Sequence, residues 1–272
     1  MTFARPTCII GRVTLRRLLL VVTIVALSGT ACTRAPATEP SPAPSPSPAP
    51  SSPSPLAVAA LADPGPVLPT GTFVARSRNP TFTVWPGPAT TSGRREAFPA
   101  RNPVGQPLEL LVSRTTRDAH GDPWLKVLLP IRPNGAAGWV KLADVRVHRV
   151  RQRIVVDLSD RMLRYFRRGT LEARYSVGIG APATPTAVGT FYVWAQVPQA
   201  SATGPYGVFA LGLSGFSPVL KDWPGGGRMA IHGTANAADR GQMVSHGCVR
   251  VYNDDMLELR QVPMGTPVVI TA

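Results

Sequence analysis

The sequence predicts a mostly β protein, and two observations support this fold class. Short runs rich in β-branched and aromatic residues recur from about residue 70 to the C-terminus, separated by proline, glycine and asparagine. Only one segment, NDDMLELRQV at residues 253–262, combines helix-forming residues with acidic residues in a first turn. We therefore expect many short strands and one short helix.

The first segment, residues 1–32, resembles a bacterial lipoprotein signal. Arginines precede the apolar run at residues 18–27, which is too short to span a bilayer comfortably. Small residues lead up to Cys32, which the resemblance identifies as the lipid-bearing residue, although Gly29 stands where such signals usually have leucine. We expect an exported protein, lipid-anchored on the outer face of the cell membrane. An uncleaved anchor and an ordinary secretory cut, which would give a secreted protein, are the alternatives.

Residues 33–69 form a predicted linker. The repeat APATEPSPAPSPSPAPSSPSP holds almost no residues that could build a core. Proline-rich chain adopts extended polyproline II at about 3.1 Å per residue, so the linker would reach on the order of 100 Å. Such a length suits a tether, and a spacer without selected reach fits the composition equally well.

Residues 70–149 are expected to form a small β domain. The runs WLKVLL and GWVKLADV, with a turn at Arg132–Gly138 between them, predict a hairpin. This pairing resembles bacterial SH3-like domains, which are small β-barrels. The resemblance implies either a module that binds wall peptide or glycan, or a support that sets the angle of the next domain. Trp85, Trp124 and Trp139 are candidates for a binding groove or for the barrel core.

Residues 150–272 are expected to form a second, mostly β domain. IVVDL and the alternating segment LRYFRRGTLEARYSVGIG predict strands, the latter folding back at Arg168-Gly169. FYVWAQV and PVVI predict further strands. The helix candidate has Asn253 as its predicted N-cap, with Asp254 and Asp255 in the first turn.

The segment IHGTANAADRGQMVSHGCVR, residues 231–250, holds the residues best suited to chemistry. It contains Cys248, with His246 two residues and His232 sixteen residues before it. A cysteine is nucleophilic as its thiolate, a nearby imidazole can take its proton, and glycines allow close approach to backbone N–H groups. These are the parts needed for acyl transfer. A zinc site is the alternative, but the paired short ligand spacings typical of structural zinc are missing, and His120 and His148 lie far off in sequence.

The cysteine count supports a reactive role for this thiol. Cys8 would leave with the signal and a lipidated Cys32 would be blocked, so Cys248 would be the only free thiol in an exported protein. Exported proteins normally pair their cysteines.

The HGT of residues 232–234 and the SHGCVR of residues 245–250 resemble the L,D-transpeptidase catalytic domain of the YkuD type. TPTAVGTFYV and the opening RIVVDLSDRMLRYFRRGTLEARYSVGIG are also similar to this family, so the resemblance covers roughly residues 151–272. It implies a YkuD-like β-sandwich behind the SH3-like barrel. Cys248 would be the nucleophile and His232 the base, oriented by the Gly233 carbonyl. The implied supporting residues are Ser245, His246 and Gly247 at the oxyanion pocket, and the implied substrate-binding residues are Arg250 and Tyr206.

The resemblance also implies a substrate. The enzyme would cut a peptidoglycan stem tetrapeptide before its terminal D-Ala through a Cys thioester, and would join two third residues without a metal or other cofactor. Carbapenem-type β-lactams would acylate Cys248. Two alternatives remain: a carboxypeptidase or endopeptidase that uses water as acceptor, and a non-catalytic wall-binding lipoprotein. For Arg250, a structural ion pair is the alternative role.

The formal net charge is +14, from 29 basic and 15 acidic residues. Such a charge favours an anionic polymer or surface as a partner, although a general preference for arginine explains it equally well. Because no basic patch is interleaved with aromatic residues, a nucleic-acid partner is not expected.

Overall fold

The computed structural model describes residues 68–272 apart from Pro69 and Pro224. The predicted signal segment, Cys32 and nearly all of the predicted linker lie outside the described residues. The described residues belong to one compact unit. None of the described helices is long and apolar enough to cross a membrane.

The described chain is mostly β, as predicted. Its strands are β1 Thr72–Ser77, β2 Thr81–Val84, β3 Glu96–Pro99, β4 Leu110–Arg117, β5 Pro123–Leu128, β6 Ala137–Lys141, β7 Val145–Val150, β8 Gln152–Asp157, β9 Met162–Arg167, β10 Thr170–Ser176, β11 Ile179–Gly180, β12 Gly189–Pro198, β13 Phe209–Phe216, β14 Arg228–Thr234, β15 Met243–Ser245, β16 Val249–Tyr252 and β17 Pro267–Thr271. The helical elements are α1 Asn253–Leu259 and two 3₁₀ turns, Leu142–Asp144 and Ala237–Asp239.

The N-terminal β region, residues 70–149, is built on a five-stranded antiparallel sheet with the order β6-β5-β4-β1-β7. The β5–β6 hairpin is the one predicted from WLKVLL and GWVKLADV. The binding groove suggested for the three tryptophans is wrong. Trp85, Trp124 and Trp139 are all buried and pack together in one hydrophobic cluster, so they belong to the core of this region. The assignment of this region to SH3-like barrels stays a prediction.

The C-terminal β region, residues 150–272, is built on an eight-stranded sheet with the order β10-β9-β8-β17-β12-β13-β14-β16. β9 and β10 pair antiparallel around the predicted turn, where Arg168 and Gly169 have φ of 52° and 89°. The closing strand β17 lies parallel to β8 in the middle of this sheet. At the edge of this sheet, β14 pairs parallel with β16.

The predicted helix is present, but its predicted cap is wrong. Asn253 is the first helical residue, and Tyr252 occupies the N-cap position without a side-chain cap bond. The Asn253 side chain instead accepts a hydrogen bond from the Val208 backbone and donates one to the Ala202 carbonyl. Tertiary contacts to a neighbouring loop have therefore taken the side chain that local propensity assigned to capping.

The two β regions share an interface. Tyr192 of β12 is fully buried and packs into the core of the N-terminal β region. Asn102 donates to the Trp194 carbonyl, and Gln106 exchanges two hydrogen bonds with the Gln196 backbone. Buried apolar surface and paired polar groups thus join the regions.

Candidate active site

The parallel pair β14–β16 brings the two halves of the sequence motif together. His232 lies opposite Arg250 and Ile231 lies opposite Val249. Cys248 immediately precedes Val249 and therefore neighbours Ala230 on β14. Since side chains alternate along a strand, Ala230 and His232 share one face, and His232 is a diagonal neighbour of Cys248.

Both side chains line one cavity of about 140 Å³. Its walls come from β14, from the turn before β16 and from two loops. The lining residues are Pro205, Tyr206, Ser217, Leu220, Trp223, Gly227, Arg228, Met229, Ala230, His232, Ser245, His246, Cys248 and Arg250. Cys248 is the described chain's free cysteine and is partly exposed here.

The His232 ring is held in one tautomer by its own strand. Its Nδ1 lies 2.9 Å from the Gly233 carbonyl oxygen, and only 3% of the residue is exposed. Because a carbonyl oxygen can only accept, the proton of the neutral ring sits on Nδ1 and Nε2 keeps a lone pair. Burial lowers the pKa of His232 to about 4, helped by the charge of Arg250 and opposed by the Gly233 carbonyl and Asp239. At neutral pH His232 is therefore an uncharged base.

The Cys248 thiol is also neutral. Burial raises its pKa, while a hydrogen bond with the Ala230 backbone and the charge of Arg250 act in the opposite direction. The pair at neutral pH is thus thiol and imidazole rather than thiolate and imidazolium. Because a thiol is nucleophilic only after it loses its proton, nucleophilic chemistry at Cys248 would need a base beside it.

The turn that carries Cys248 is fixed by Ser245. This buried hydroxyl donates to the Cys248 carbonyl at 2.6 Å and accepts from the Gly247 N–H at 3.1 Å. The Ser245 carbonyl accepts from the Ala181 N–H and from the Thr184 hydroxyl. Gly247 has φ of +111°, a conformation that side chains other than glycine rarely adopt. The predicted supporting roles of Ser245 and Gly247 thus correspond to a rigid turn.

His246 lines the same cavity as Cys248 and His232, where it contacts Trp223. Its ring is exposed and stacks on Trp223, with ring centroids 4.9 Å apart and planes inclined by 25°. The positive φ of Gly247 interrupts the extended chain that would have put His246 and Cys248 on one face. His246 therefore builds the rim of the cavity.

Arg250 forms an ion pair inside the protein. It donates to Asp239 at 3.1 Å, and Asp239 is buried and also accepts from Thr234 and Asn236. The guanidinium still borders the cavity, and its buried Nε has no hydrogen-bond partner among the described residues. The ion pair considered for Arg250 is therefore present.

The loop that carries Tyr206 packs closely against Gly233 of β14. A Cβ on Gly233 would lie 2.5 Å from Asn253 Oδ1 and 2.9 Å from the Val208 nitrogen, so only glycine fits there. Glycine at position 233 therefore allows the loop that carries Tyr206 to pack closely against β14. The Tyr206 ring then contacts His232 edge to face, with centroids 5.2 Å apart.

The other two histidines lie elsewhere. His120 is exposed in the β4–β5 turn, and His148 lies on β7, 3.7 Å from Glu109. Across residues 68–272, apart from the two omitted prolines, no group of three or more His, Cys, Asp or Glu is arranged to hold a metal ion.

Several residues in and around the cavity were missed by the sequence reasoning. Asp239 was overlooked, although a lone acid within the motif segment is a signal for a partner to Arg250. Leu220, Pro205 and Met229 carry no chemical signal, and only the fold brings them to the cavity.

Comparison with known proteins shows which family the C-terminal β region is similar to. Residues 151–270 match the YkuD family model, described as the L,D-transpeptidase catalytic domain. This match supports the resemblance inferred from the motifs.

Individual relatives are similar over part of the chain. Two curated proteins named "Putative L,D-transpeptidase YkuD" are each 39% identical: that of Bacillus licheniformis over 44% of this chain and 65% of its own length, and that of Bacillus subtilis over 35% and 51%. The chain thus spans less than two thirds of these relatives. Among solved structures, the catalytic domain of an Enterococcus faecium L,D-transpeptidase acylated by ertapenem is 28% identical, with a TM-score of 0.35, over 45% of this chain and 98% of that chain.

Proposed function

We propose that this protein is a peptidoglycan L,D-transpeptidase that links the third residues of two stem peptides through a thioester on Cys248. The observation that carries the proposal is the position of Cys248 and an uncharged, tautomer-fixed His232 in one cavity. The match of residues 151–270 to the catalytic-domain family supports it.

In the first half-reaction, Cys248 Sγ attacks the carbonyl carbon between the third residue and the terminal D-Ala. The thiol proton passes to His232 Nε2 as the C–S bond forms and gives a tetrahedral intermediate. The intermediate then collapses: the C–N bond breaks, and the proton moves from His232 to the nitrogen of the departing D-Ala, which leaves the thioester. The fixed Nδ1–H bond to Gly233 keeps Nε2 available as the acceptor.

The oxyanion of the tetrahedral intermediate needs N–H donors. The Gly247 N–H is engaged by Ser245, so the N–H groups of His246 and Cys248 are our candidates in this turn. Ser245 and Gly247 would act by holding the turn rigid, as the short bond to the Cys248 carbonyl supports.

In the second half-reaction, the side-chain amine of a third residue on another stem attacks the thioester. His232 takes the proton from this amine and returns it to the sulfur, which leaves the free thiol and a new amide. Thioesters react well with amines, and the wall formed by Tyr206 and Trp223 would limit competing water. Arg250 would bind a substrate carboxylate through the part of its guanidinium that borders the cavity.

The reaction class is tested by incubating the protein with purified disaccharide-tetrapeptide and separating the products by mass spectrometry. We expect a cross-linked dimer formed with loss of one alanine, absent in Cys248→Ala. A tripeptide monomer alone would replace the transpeptidase by the hydrolase that uses water. No turnover together with retained wall binding would replace it by the non-catalytic wall-binding lipoprotein.

The base is tested by comparing His232→Ala with His246→Ala. We expect the first change to abolish acylation of Cys248 by a carbapenem-type β-lactam, and the second to leave most of the rate. Loss of acylation only in His246→Ala would overturn the assignment. No cofactor is part of this mechanism.

The proposal includes export and a lipid anchor on Cys32, outside the described residues. The support is the lipoprotein-like sequence of residues 1–32. We expect incorporation of labelled fatty acid in a bacterial host and its loss in Cys32→Ala. A labelled Cys32→Ala protein would contradict lipidation at Cys32. An unlabelled parent would favour an uncleaved anchor if it stays in the membrane fraction, and secretion if it is found in the medium.

A further inference from the structure

One wall of the cavity is formed by a loop, residues 217–227, which we call the site loop. Ser217, Leu220, Trp223 and Gly227 of this loop line the cavity, and Trp223 stacks on His246. Within the loop, the Ser217 N–H donates to the Gly227 carbonyl at 2.7 Å and closes its base. The position of this loop therefore sets the shape of the cavity beside Cys248.

The site loop is held from outside by the connection between β5 and β6 in the N-terminal β region. Arg132 of this connection donates to three carbonyl oxygens of the loop, those of Ser217, Leu220 and Gly226, each at 2.9 Å. Hydrogen bonds from a charged donor are stronger than those between neutral groups. One guanidinium thus links the start, the middle and the end of the loop. It can do so because its several N–H donors are held in a rigid planar group and point in different directions.

A second residue of the same connection fixes the strand that enters the loop. Asn134 donates to the Phe216 carbonyl at 2.8 Å and accepts from the Phe216 N–H at 2.9 Å. Phe216 ends β13 and directly precedes the loop, and the Arg132 guanidinium also lies 4.8 Å from its ring centroid. Directly after the loop, the Arg228 guanidinium donates a hydrogen bond to the Pro130 carbonyl of the connection.

We propose that Arg132 and Asn134 are positioning residues, which hold the site loop so that Trp223 and Leu220 form the wall of the Cys248 cavity. The N-terminal β region would then act in catalysis as part of the donor-binding site, beyond any role in wall attachment. The catalytic part of this inference rests on the proposed function, whereas the holding of the loop does not.

The test of the loop uses endoproteinase Lys-C on the full-length protein. The chain has three lysines: Lys126 and Lys141 lie in strands β5 and β6, and Lys221 lies in the site loop. Cleavage of the native protein at Lys221 therefore reports opening of this loop. For Arg132→Ala we expect cleavage at Lys221 to be about 10- to 100-fold faster, as the loss of three hydrogen bonds predicts.

The controls separate holding from folding. Asn134→Ala should accelerate the same cut. Arg132→Gln, which adds no lysine, should fall between Arg132→Ala and the parent, because an amide can donate only part of the hydrogen bonds that the guanidinium donates. Arg78→Ala is the matched control, since Arg78 donates to the Val145 carbonyl within the N-terminal β region and away from the loop. Equal Lys221 cleavage in Arg132→Ala, Asn134→Ala and the parent would overturn the inference.

The catalytic part is tested by steady-state kinetics with the tetrapeptide donor. Arg132→Ala should raise KM about 10-fold with a smaller effect on kcat, and Arg132→Lys should restore part of the loss. A drop in kcat at unchanged KM, the signature of a smaller folded fraction, would contradict positioning. If the parent itself shows no turnover, the proposed function fails while the Lys221 result still decides whether the loop is held.

Discussion

Burial of the neutral His232 ring predicts that the folded protein loses stability in mild acid. The pKa of His232 is lowered to about 4 in the folded protein, against an ordinary value of 6.5 for an exposed histidine. Between these two values the unfolded chain binds a proton that the folded chain does not. The free energy of unfolding must therefore fall as the pH falls from about 7 to about 4.

The size of the effect follows from the two pKa values. A difference of one pKa unit corresponds to about 1.4 kcal/mol, so the full contribution of His232 is about 3 kcal/mol. About 2 kcal/mol of this should be lost between pH 7 and pH 5. That amount is a large share of the stability of an ordinary domain.

The assay is urea unfolding followed by tryptophan fluorescence at several pH values between 7 and 4.5, for the parent, His232→Gln and His246→Gln. The parent minus His232→Gln isolates the titration of His232 from that of every other group. His246→Gln is the matched control, because it removes an exposed histidine that lines the same cavity. The same pH slope in the parent and in His232→Gln would refute the neutral, buried state of this ring.

Three further predictions concern the residues around this pair. Alkylation of Cys248 by iodoacetamide should reach half of its maximal rate above pH 9, because burial raises the pKa of this thiol above its ordinary value of 9.0; a midpoint near 7 would indicate a preformed thiolate. Gly233→Ala should destabilise the fold by about 1 to 3 kcal/mol in urea unfolding, since a Cβ would lie 2.5 Å from Asn253 Oδ1; unchanged stability would mean that this contact yields easily. Asp239→Asn should cost about 2 kcal/mol, less than a fully buried pair because Arg250 is 27% exposed, and equal stability of the variant and the parent would show that the pair contributes nothing net.

The strands and the motif were accessible from sequence because both are local signals. Alternation and the Arg168-Gly169 turn predicted the β9–β10 hairpin, and the helix after the motif was placed by its acidic first turn. The same local reasoning was wrong at Asn253. Its preference for a cap was overridden by a loop 45 residues away in sequence.

The walls of the cavity were beyond sequence reasoning for a different reason. Leu220 is an ordinary apolar residue, and Arg132 is one of many arginines in a basic chain. Their importance arises from sheet order and from the packing of the two β regions, which create contacts across 85 to 94 residues of sequence. No periodicity or spacing encodes such contacts.

The central chemical claim is that Cys248 forms a thioester with the stem peptide. The most direct measurement is to mix the protein with the tetrapeptide donor alone, quench in acid within milliseconds to seconds, and map the adduct by peptide mass spectrometry. We expect an acyl group of the donor without its terminal alanine on the peptide that contains Cys248, and none in Cys248→Ala. Turnover with no adduct on this peptide, or an adduct on another residue, would contradict the mechanism.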